Sequence, residues 1–466
     1  MLDCDPWLGL RCHRYIDTAT ATYKTYANEV EFLDTHPGGA QVLLRCAGRD
    51  ATGDFDAVHD IQVLAQSLSP GAFKGNIEPG TLSKQPEKAS PEPQENDIPS
   101  LASMINLHDF EEVAKRHLLP TTWAYYASGA DDETSKRGNA KAYQKVSLRP
   151  RILRKVLAVD TSTHILGHPV SLPVYMSPVG IVKLAHPHGE CALAAAAGQE
   201  GLAQVLANGS SIPVEKVIGS RVSNEQPIFS QLYVNRDIRK SEDMVRRAEK
   251  AGAQAIWLTV DSPVVGKREL DERVNLNVQP RYADIKPGAG VAKTNASTIS
   301  PFIDWDILTW LRNLTQLPIV IKGIQCVEDA VLAYESGVQG IVLSNHGGRS
   351  QDTAQAPLLT LLEIRRYAPY LLASPMQIFV DGGIRRGTDV LKAIALGATA
   401  VGMGRPFLYS MAAGYGQEGA RRAIAILRQE IEANMVFLGV TRLSELGEHL
   451  VNASRLERDV VGSVKL

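Results

Sequence analysis

Eight short apolar runs are the feature that most restricts how this chain can fold. They alternate with amphipathic stretches of helical period, such as Ser241–Ala251 and Val327–Ser336. Runs that are apolar on both faces are typical of strands buried between two layers, and the intervening helices predict parallel pairing through crossovers. Along the chain the runs are Leu172–Ser177, Ala203–Ala207, Ile228–Val234, Ala255–Asp261, Pro318–Gly323, Gly340–Asn345, Gln377–Gly382 and Ala398–Gly402.

Eight strand–helix units in one domain predict an α/β fold, the (β/α)8 TIM barrel. An open doubly wound sheet would carry a glycine-rich turn directly after its first strand, and none follows Leu172–Ser177. Five prolines between Pro79 and Pro99, with few apolar side chains around them, indicate a linker. We therefore expect an N-terminal segment at residues 1–78, a linker at 79–99 and the barrel at 100–466.

Charge, apolar runs and cysteine spacing exclude several classes of partner and site. The 49 basic and 51 acidic residues give a net charge of −2, so nucleic acid is not an expected partner. No apolar run approaches the ~18 residues that a membrane span needs. The five cysteines form no CxxC pair, which argues against a zinc ribbon or a disulfide framework. No targeting segment is readable in the first thirty residues, which leaves the compartment open.

Polar side chains occupy the ends of the middle strands, where barrels of this type carry their chemistry. Each has an ordinary alternative: Asp261 could cap a helix, Tyr233 could be a core residue, and Arg268 could be a solvated loop charge. Burying a neutral polar group without a partner costs roughly 2–7 kcal/mol, so the set as a whole predicts a ligand site. The set comprises Gln231, Tyr233, Thr259, Asp261, Arg268, Lys322, Ser344, His346 and Arg349.

The last two strands end in glycine-rich turns followed by arginine. Glycines let backbone N–H groups approach a ligand, and these two strands commonly bind phosphate in such barrels. The pattern therefore predicts that the ligand carries a phosphate. The residues are Asp381, Gly382, Gly383 and Arg385 after the seventh strand, and Gly404 and Arg405 after the eighth.

From about Leu101 to its end, the chain resembles the FMN-dependent α-hydroxy acid oxidase and dehydrogenase family. The resemblance implies FMN as cofactor. Five segments carry it, at residues 125–130 (YYASGA), 231–233 (QLY), 258–263 (LTVDSP), 344–349 (SNHGGR) and 381–390 (DGGIRRGTDV).

The N-terminal segment is similar to a cytochrome b5 module, a small α+β domain. The segments His36–Gly39 (HPGG), Ala47–Thr52 (AGRDAT) and Phe55–His59 (FDAVH) carry this likeness, whereas residues 1–30 do not reproduce the first half of such a module. The resemblance implies haem b, with its iron held between His36 and His59. A b5 module, a linker and an FMN barrel together are the layout of the flavocytochrome b2 branch of the family.

The resemblance also implies a role for each site residue. His346 would be the catalytic base, oriented by Asp261, with Tyr233 near the substrate hydroxyl. Substrate binding would involve Tyr125, Tyr233, Arg268 and Arg349, with Tyr125 and the two arginines on the carboxylate. FMN would contact Ser177, Pro178, Val179, Asn208, Gln231, Thr259, Lys322 and Ser344, and its phosphate would contact Asp381, Gly382, Gly383, Arg385, Gly404 and Arg405.

The function that follows is oxidation of a lactate-like L-2-hydroxy acid by FMN, with electrons passing through haem b to a cytochrome c-like acceptor. The alternative is an oxidase that reduces O2 to hydrogen peroxide. An FMN-barrel isomerase of a phosphorylated substrate and a non-catalytic haem scaffold are weaker alternatives. By resemblance we expect a homo-oligomer, a tetramer in this family. The resemblance implies the mitochondrial intermembrane space, but the sequence leaves the compartment unknown, with cytoplasm and peroxisome as alternatives.

Overall fold

The computed structural model describes residues 98–276, 291–295 and 298–466, together with Phe55 and three strands near the N-terminus. Those strands pair antiparallel in the order of the chain and span Cys12–Asp17, Thr22–Ala27 and Phe73–Ile77. The predicted haem ligands His36 and His59, and residues 79–97 of the predicted linker, lie outside the described residues.

Eight parallel strands close into a barrel in which each strand pairs with its neighbours along the chain and the eighth pairs with the first. This confirms the predicted TIM barrel. The strands are β1 Val174–Met176, β2 Ala203–Leu206, β3 Ile228–Leu232, β4 Ile256–Thr259, β5 Ile319–Ile324, β6 Gly340–Leu343, β7 Gln377–Asp381 and β8 Ala400–Met403.

One main helix follows each strand and packs outside the barrel. In the third of them, Ile238–Ala251, Asp237 caps the N-terminus by accepting a hydrogen bond from the Arg239 N–H, and Gly252 ends the helix at φ +98°. The helices are α1 Gly189–Glu200, α2 Val214–Gly219, α3 Ile238–Ala251, α4 Ile307–Leu314, α5 Val327–Glu335, α6 Pro357–Tyr367, α7 Gly387–Ala395 and α8 Gly416–Leu438.

Further helices extend the basic pattern. Three of them precede β1, two lie between β4 and α4, and a short one joins β8 to α8. Within the described part of the chain, no helix is both long and apolar enough to cross a membrane. These helices span Leu107–His117, Pro120–Ala127, Thr134–Gln144, Glu269–Leu276, Val291–Asn295 and Arg405–Ser410, with a last short turn at Ser454–Glu457.

Aromatic side chains fill the amino-terminal half of the barrel interior. Trp257 lies at their centre, with its ring 5.0 Å from Tyr175, 5.7 Å from Phe229 and 5.3 Å from Phe379. A hairpin formed by Thr163–Ile165 and His168–Val170 packs beneath this layer and closes the lower end. The interior at this level is therefore a packed core, and any ligand must lie above it.

Candidate active site

A histidine and an aspartate face each other at the upper end of the barrel. His346 Nδ1 lies 2.8 Å from Asp261 Oδ1. The side chain of His346 keeps 19% of its surface exposed, whereas that of Asp261 exposes none. A ligand can therefore reach the imidazole but not the carboxylate behind it.

The pair fixes which imidazole nitrogen can accept a proton. A carboxylate can only accept, so Nδ1 carries the hydrogen and Nε2 presents a free lone pair. Burial lowers the pKa of His346, although Asp261 opposes that shift. Burial works against the charged form of Asp261 too, but its interactions with His346 and Lys322 outweigh burial and hold the pKa of Asp261 below its usual value. A neutral imidazole thus faces a charged carboxylate at neutral pH.

Lys322 connects this pair to two further groups. Its Nζ lies 3.2 Å from Asp381 Oδ2 and 3.8 Å from Asp261 Oδ2, and it donates to Ser344 Oγ at 3.0 Å. Burial alone would lower the pKa of Lys322, but the two carboxylates raise it, so the ammonium stays charged. Asp381, which was predicted to contact the FMN phosphate, has Oδ2 beside Lys322, while its Oδ1 is buried without a hydrogen-bond partner.

Two arginines lie close to the histidine and have no ion pair with any carboxylate of the described residues. The Nε atoms of Arg268 and Arg349 are buried without a hydrogen-bond partner. Arg349 donates to the Tyr125 carbonyl at 2.8 Å, and its guanidinium stands 5.3 Å from the centre of the Tyr125 ring. Burial, helped by the neighbouring charge of Arg349, lowers the pKa of Arg268 to about 9. Such a pair is suited to an anionic ligand.

A chain of hydrogen bonds links the ends of β2, β3 and β4. Gln231 donates to Thr259 Oγ1 at 3.0 Å and accepts from the Asn208 N–H at 3.1 Å, while Asn208 Oδ1 accepts from the Tyr233 N–H. The Tyr233 hydroxyl reaches to 3.4 Å from His346 Nε2. Burial and the charge of Asp261 raise the pKa of Tyr233 to about 12, so the phenol remains a donor.

The predicted phosphate-binding end combines close backbone approaches with a desolvated cation. Gly382 and Gly383 have φ of +87° and +85°, and a Cβ on Gly383 would stand 2.4 Å from a backbone atom of Asn139. Arg405 donates to the Gly347 carbonyl, and burial lowers its pKa to about 10. Arg385, in contrast, pairs with Glu111 at 3.3 Å.

The first strand contributes a turn beside the last. The Ser177 N–H donates to the Met403 carbonyl at 3.0 Å, and the Ser177 hydroxyl is buried without a partner. A Cβ on Gly404 would stand 3.3 Å from Val179. The structure thus gathers the described members of the predicted site around one end of the barrel.

Two residues that contact the site were not among the predicted site residues. Ser262 Oγ lies 3.3 Å from His346 Nδ1, and Asn139 forms hydrogen bonds with Asn345 although it belongs to a helix outside the barrel. Ser262 stands inside a predicted segment, so its position in the motif was a usable signal. For Asn139, no feature of the sequence pointed toward the site.

Comparison with known proteins places this geometry in a family. The sequence profile of FMN-dependent dehydrogenases matches residues 114–453. The chain belongs to the FMN-dependent dehydrogenase family. This confirms the predicted membership and FMN as the cofactor of the barrel. A second profile, the cytochrome b5-like haem/steroid binding domain, matches residues 28–78 and confirms the predicted N-terminal resemblance; both His36 and His59 lie within that match.

Individual relatives fall into two groups by how much of the chain they match. The L-lactate dehydrogenase (cytochrome) of Wickerhamomyces anomalus is 40% identical over 93% of this chain and 77% of its own length. Glycolate oxidase 3 of Oryza sativa subsp. indica is 38% identical over 76% of this chain and 98% of its own. Among solved structures, the flavin-binding domain of baker's yeast flavocytochrome b2 has 40% identity and a TM-score of 0.73, covering 80% of this chain and 92% of that one.

Proposed function

We propose that this protein oxidises a lactate-like L-2-hydroxy acid to the 2-oxo acid and passes the electrons through haem b to a cytochrome c-like acceptor. The observation that supports this most strongly is the arrangement of a histidine–aspartate pair beside two arginines that have no carboxylate partner among the described residues. A base and an anion-binding fork are the two groups that oxidation of a hydroxy acid requires of a protein.

His346 acts as the base in this proposal. Its Nε2 carries the free lone pair because Nδ1–H is held by Asp261 at 2.8 Å. When Nε2 accepts a proton from the substrate, the imidazolium forms 2.8 Å from a buried negative charge, which stabilises it. Tyr233, whose hydroxyl lies 3.4 Å from Nε2, stays protonated and donates to the substrate hydroxyl oxygen.

The substrate carboxylate binds between the guanidinium groups of Arg268 and Arg349. The unpartnered Nε of each provides a donor that is already desolvated, so the hydrogen bonds to a carboxylate are charge-assisted and strong. The Tyr125 ring packs against Arg349 and limits where that guanidinium can move. This clamp orients the substrate so that its second carbon faces His346.

The site residues fit FMN on three observations. The glycine turn at Gly382 and Gly383 leaves no room for side chains, Arg405 is a desolvated cation that a phosphate would neutralise, and Ser177 Oγ is a buried group without a partner. We assign Lys322, Gln231, Thr259 and Ser344 to the ring and ribityl groups. When bound, FMN supplies the acceptor for the two electrons that leave the substrate.

Electron transfer to haem separates this proposal from its main competitor. The cytochrome-type relative matches this chain across the b5-like profile and the barrel, whereas the glycolate oxidase matches 76% of it. The 38% identity to that oxidase supports a second candidate, an enzyme that transfers the electrons to O2 and forms hydrogen peroxide.

We further propose that residues 1–78 form the haem module, residues 79–99 the linker and residues 100–466 the barrel. We also propose that the chain assembles as a homo-oligomer.

One spectroscopic experiment tests the proposal. The full chain, loaded with FMN and haem, is mixed anaerobically with L-lactate while flavin and haem absorption are followed. We expect the flavin band to bleach and the reduced b-type haem spectrum to appear next. Bleaching without haem reduction, together with peroxide formation in air, would establish the oxidase. No bleaching with L-lactate or any other L-2-hydroxy acid would contradict both.

A further inference from the structure

We propose that Asn139, on a helix outside the barrel, is a positioning residue for His346 through a reciprocal amide pair with Asn345. The inference rests on the proposed function, because it assumes that His346 is the base. The side-chain hydrogen bonds of Asn139 go to Asn345 and not to His346 or the two clamp arginines. Its effect on the reaction is therefore indirect, through the backbone of the loop that carries the histidine.

The two amides form a pair with two hydrogen bonds. Asn139 Nδ2 donates to Asn345 Oδ1 and Asn345 Nδ2 donates to Asn139 Oδ1, each at 2.7 Å. Both side chains are about 1% exposed. A buried amide that loses such partners retains the cost of its desolvation, so each member strongly restricts the other.

The orientation of the pair is fixed from outside. Asn345 Oδ1 also accepts from the Gly348 N–H at 3.0 Å, and Asn345 Nδ2 also donates to the Gln355 carbonyl at 3.0 Å. A backbone N–H can only donate and a carbonyl can only accept, so the Asn345 amide cannot rotate by half a turn without breaking both bonds. Asn139 must then present its oxygen to Nδ2 and its nitrogen to Oδ1.

The loop held by this pair has an unusual backbone. His346, Gly347 and Gly348 are three consecutive residues in the left-handed region, with φ of +59°, +66° and +74°. Residues other than glycine seldom adopt this region, so at His346 the conformation depends on the surrounding contacts. The Gly348 N–H donates both to the Asn345 backbone carbonyl and to Asn345 Oδ1, each at 3.0 Å, and the side-chain bond ties this closed loop to the amide pair.

The helix Thr134–Gln144 braces the loop at a second point. A Cβ on Gly348 would stand 2.3 Å from the Lys136 nitrogen, so the loop lies directly against the helix backbone. The same helix approaches Gly383, at the predicted phosphate end, equally closely. Gly348 and Gly383 allow the helix to pack closely, and the amide pair fixes where along the helix the loop lies. The helix therefore holds the loop that carries His346 at a fixed position relative to the phosphate end.

The test compares Asn139→Asp with Asn434→Asp. Asn434 is the control because it also donates a side-chain hydrogen bond, 2.7 Å to the Glu430 carbonyl, but it is half-buried and lies on α8. An aspartate at 139 would place a carboxylate oxygen against Asn345 Oδ1, which cannot turn away. The full chain, loaded with FMN and haem, is used, and melting temperature and FMN content are recorded for each variant.

We expect Asn139→Asp to slow anaerobic flavin reduction by L-lactate about 10²-fold, the scale of loss that follows a displacement of about 1 Å, while Asn434→Asp stays near wild type. Burial lowers the pKa of His346 and Asp261 raises it, so an imidazole that is displaced and exposed loses both effects. The acidic limb of the plot of reduction rate against pH should therefore shift in Asn139→Asp and stay in place in the control. A lower melting temperature with an unchanged rate and profile would overturn the proposal and leave Asn139 a structural role only.

A readout independent of turnover separates this inference from the proposed function. Carbethoxylation of His346 by diethyl pyrocarbonate, located by mass spectrometry, should be several-fold faster in Asn139→Asp than in the control, because the loosened loop exposes the ring. If Asn139→Asp does not fold, Asn139→Ala provides the same comparison without the added charge. Equal modification rates in variant and control would contradict the positioning role, whether or not L-lactate proves to be a substrate.

Discussion

The two halves of the barrel interior differ although the same strands build them. In the lower half Phe229, Trp257 and Phe379 are fully buried and pack on one another. Two residues further along the same strands, and so on the same inward face, stand Gln231, Thr259 and Asp381. A step of about 6.6 Å along each strand therefore separates the side chains that hold the barrel together from those that we propose for the ligand site.

This division recurs in the remaining strands of the site. Val320 precedes Lys322 on β5, Val342 precedes Ser344 after β6, and the first member of each pair is fully buried. We call the first set, with Phe229, Trp257 and Phe379, the lower layer, and the polar residues at the carboxyl ends of the strands the upper layer. Substitutions in the lower layer should affect stability, and substitutions in the upper layer should affect ligand binding and reaction rate. Four variants probe that separation.

The largest effect is expected for His346→Gln, in the upper layer. Glutamine cannot accept the substrate proton, so anaerobic reduction of the flavin by L-lactate should slow roughly 10²–10⁴-fold. The free energy of unfolding should fall by only about 1 kcal/mol, because glutamine can still donate a hydrogen bond to the buried Asp261. Stopped-flow absorption with FMN content checked beforehand measures the rate. A variant reduced as fast as wild type would remove His346 from the role of base.

Trp257→Ala tests the lower layer. Removing the ring at the centre of the aromatic cluster should lower the free energy of unfolding by about 3–5 kcal/mol. Chemical denaturation followed by circular dichroism measures this loss. In the protein that remains folded and FMN-loaded, the affinity for pyruvate should match wild type. A large loss of affinity with little loss of stability would break the proposed separation of layers.

Asp261→Asn keeps the shape of the side chain but removes its charge. We expect flavin reduction near neutral pH to slow about 10²-fold, because the imidazolium is no longer stabilised and the tautomer of His346 is no longer imposed. The Asp261 carboxylate raises the pKa of His346, so replacing it with an amide should lower that pKa. The acidic limb of the plot of reduction rate against pH should then move to lower pH. A shift toward higher pH would show that another group dominates the profile.

Arg349→Lys should have the smallest effect of the four. An ammonium cannot form the planar fork of a guanidinium, so the dissociation constant for pyruvate should rise about tenfold, or about 1.4 kcal/mol. Titration of the oxidised flavin spectrum measures it. Arg442→Lys, at an exposed position, is the matched control. If both variants bind pyruvate like wild type, the clamp assignment fails for Arg349.

Much of this arrangement was predictable because barrel topology turns strand order into spatial order. Once eight runs were recognised, the ends of β3 to β6 had to meet at one end of the barrel, which brought Gln231, Thr259, Lys322 and His346 together. The motifs around His346 then supplied the expected roles.

Other features depend on tertiary contacts that no local pattern reports. The bonds from Asp381 to Lys322 and from Arg385 to Glu111 involve partners distant along the chain, so the phosphate assignment could not anticipate them. The Asn139–Asn345 pair spans 206 residues, and its importance follows only from the orientation that Gly348 and Gln355 impose. The partner of a buried polar group is set by packing, which sequence spacing alone does not specify.

The most direct test of the account is a crystal structure of the full chain with FMN and pyruvate bound. We expect the carboxylate of pyruvate to lie between Arg268 and Arg349. The keto oxygen of pyruvate should lie within hydrogen-bonding distance of His346 Nε2 and the Tyr233 hydroxyl. Pyruvate bound with its carboxylate away from both arginines, or with His346 turned out of reach of the keto oxygen, would contradict it.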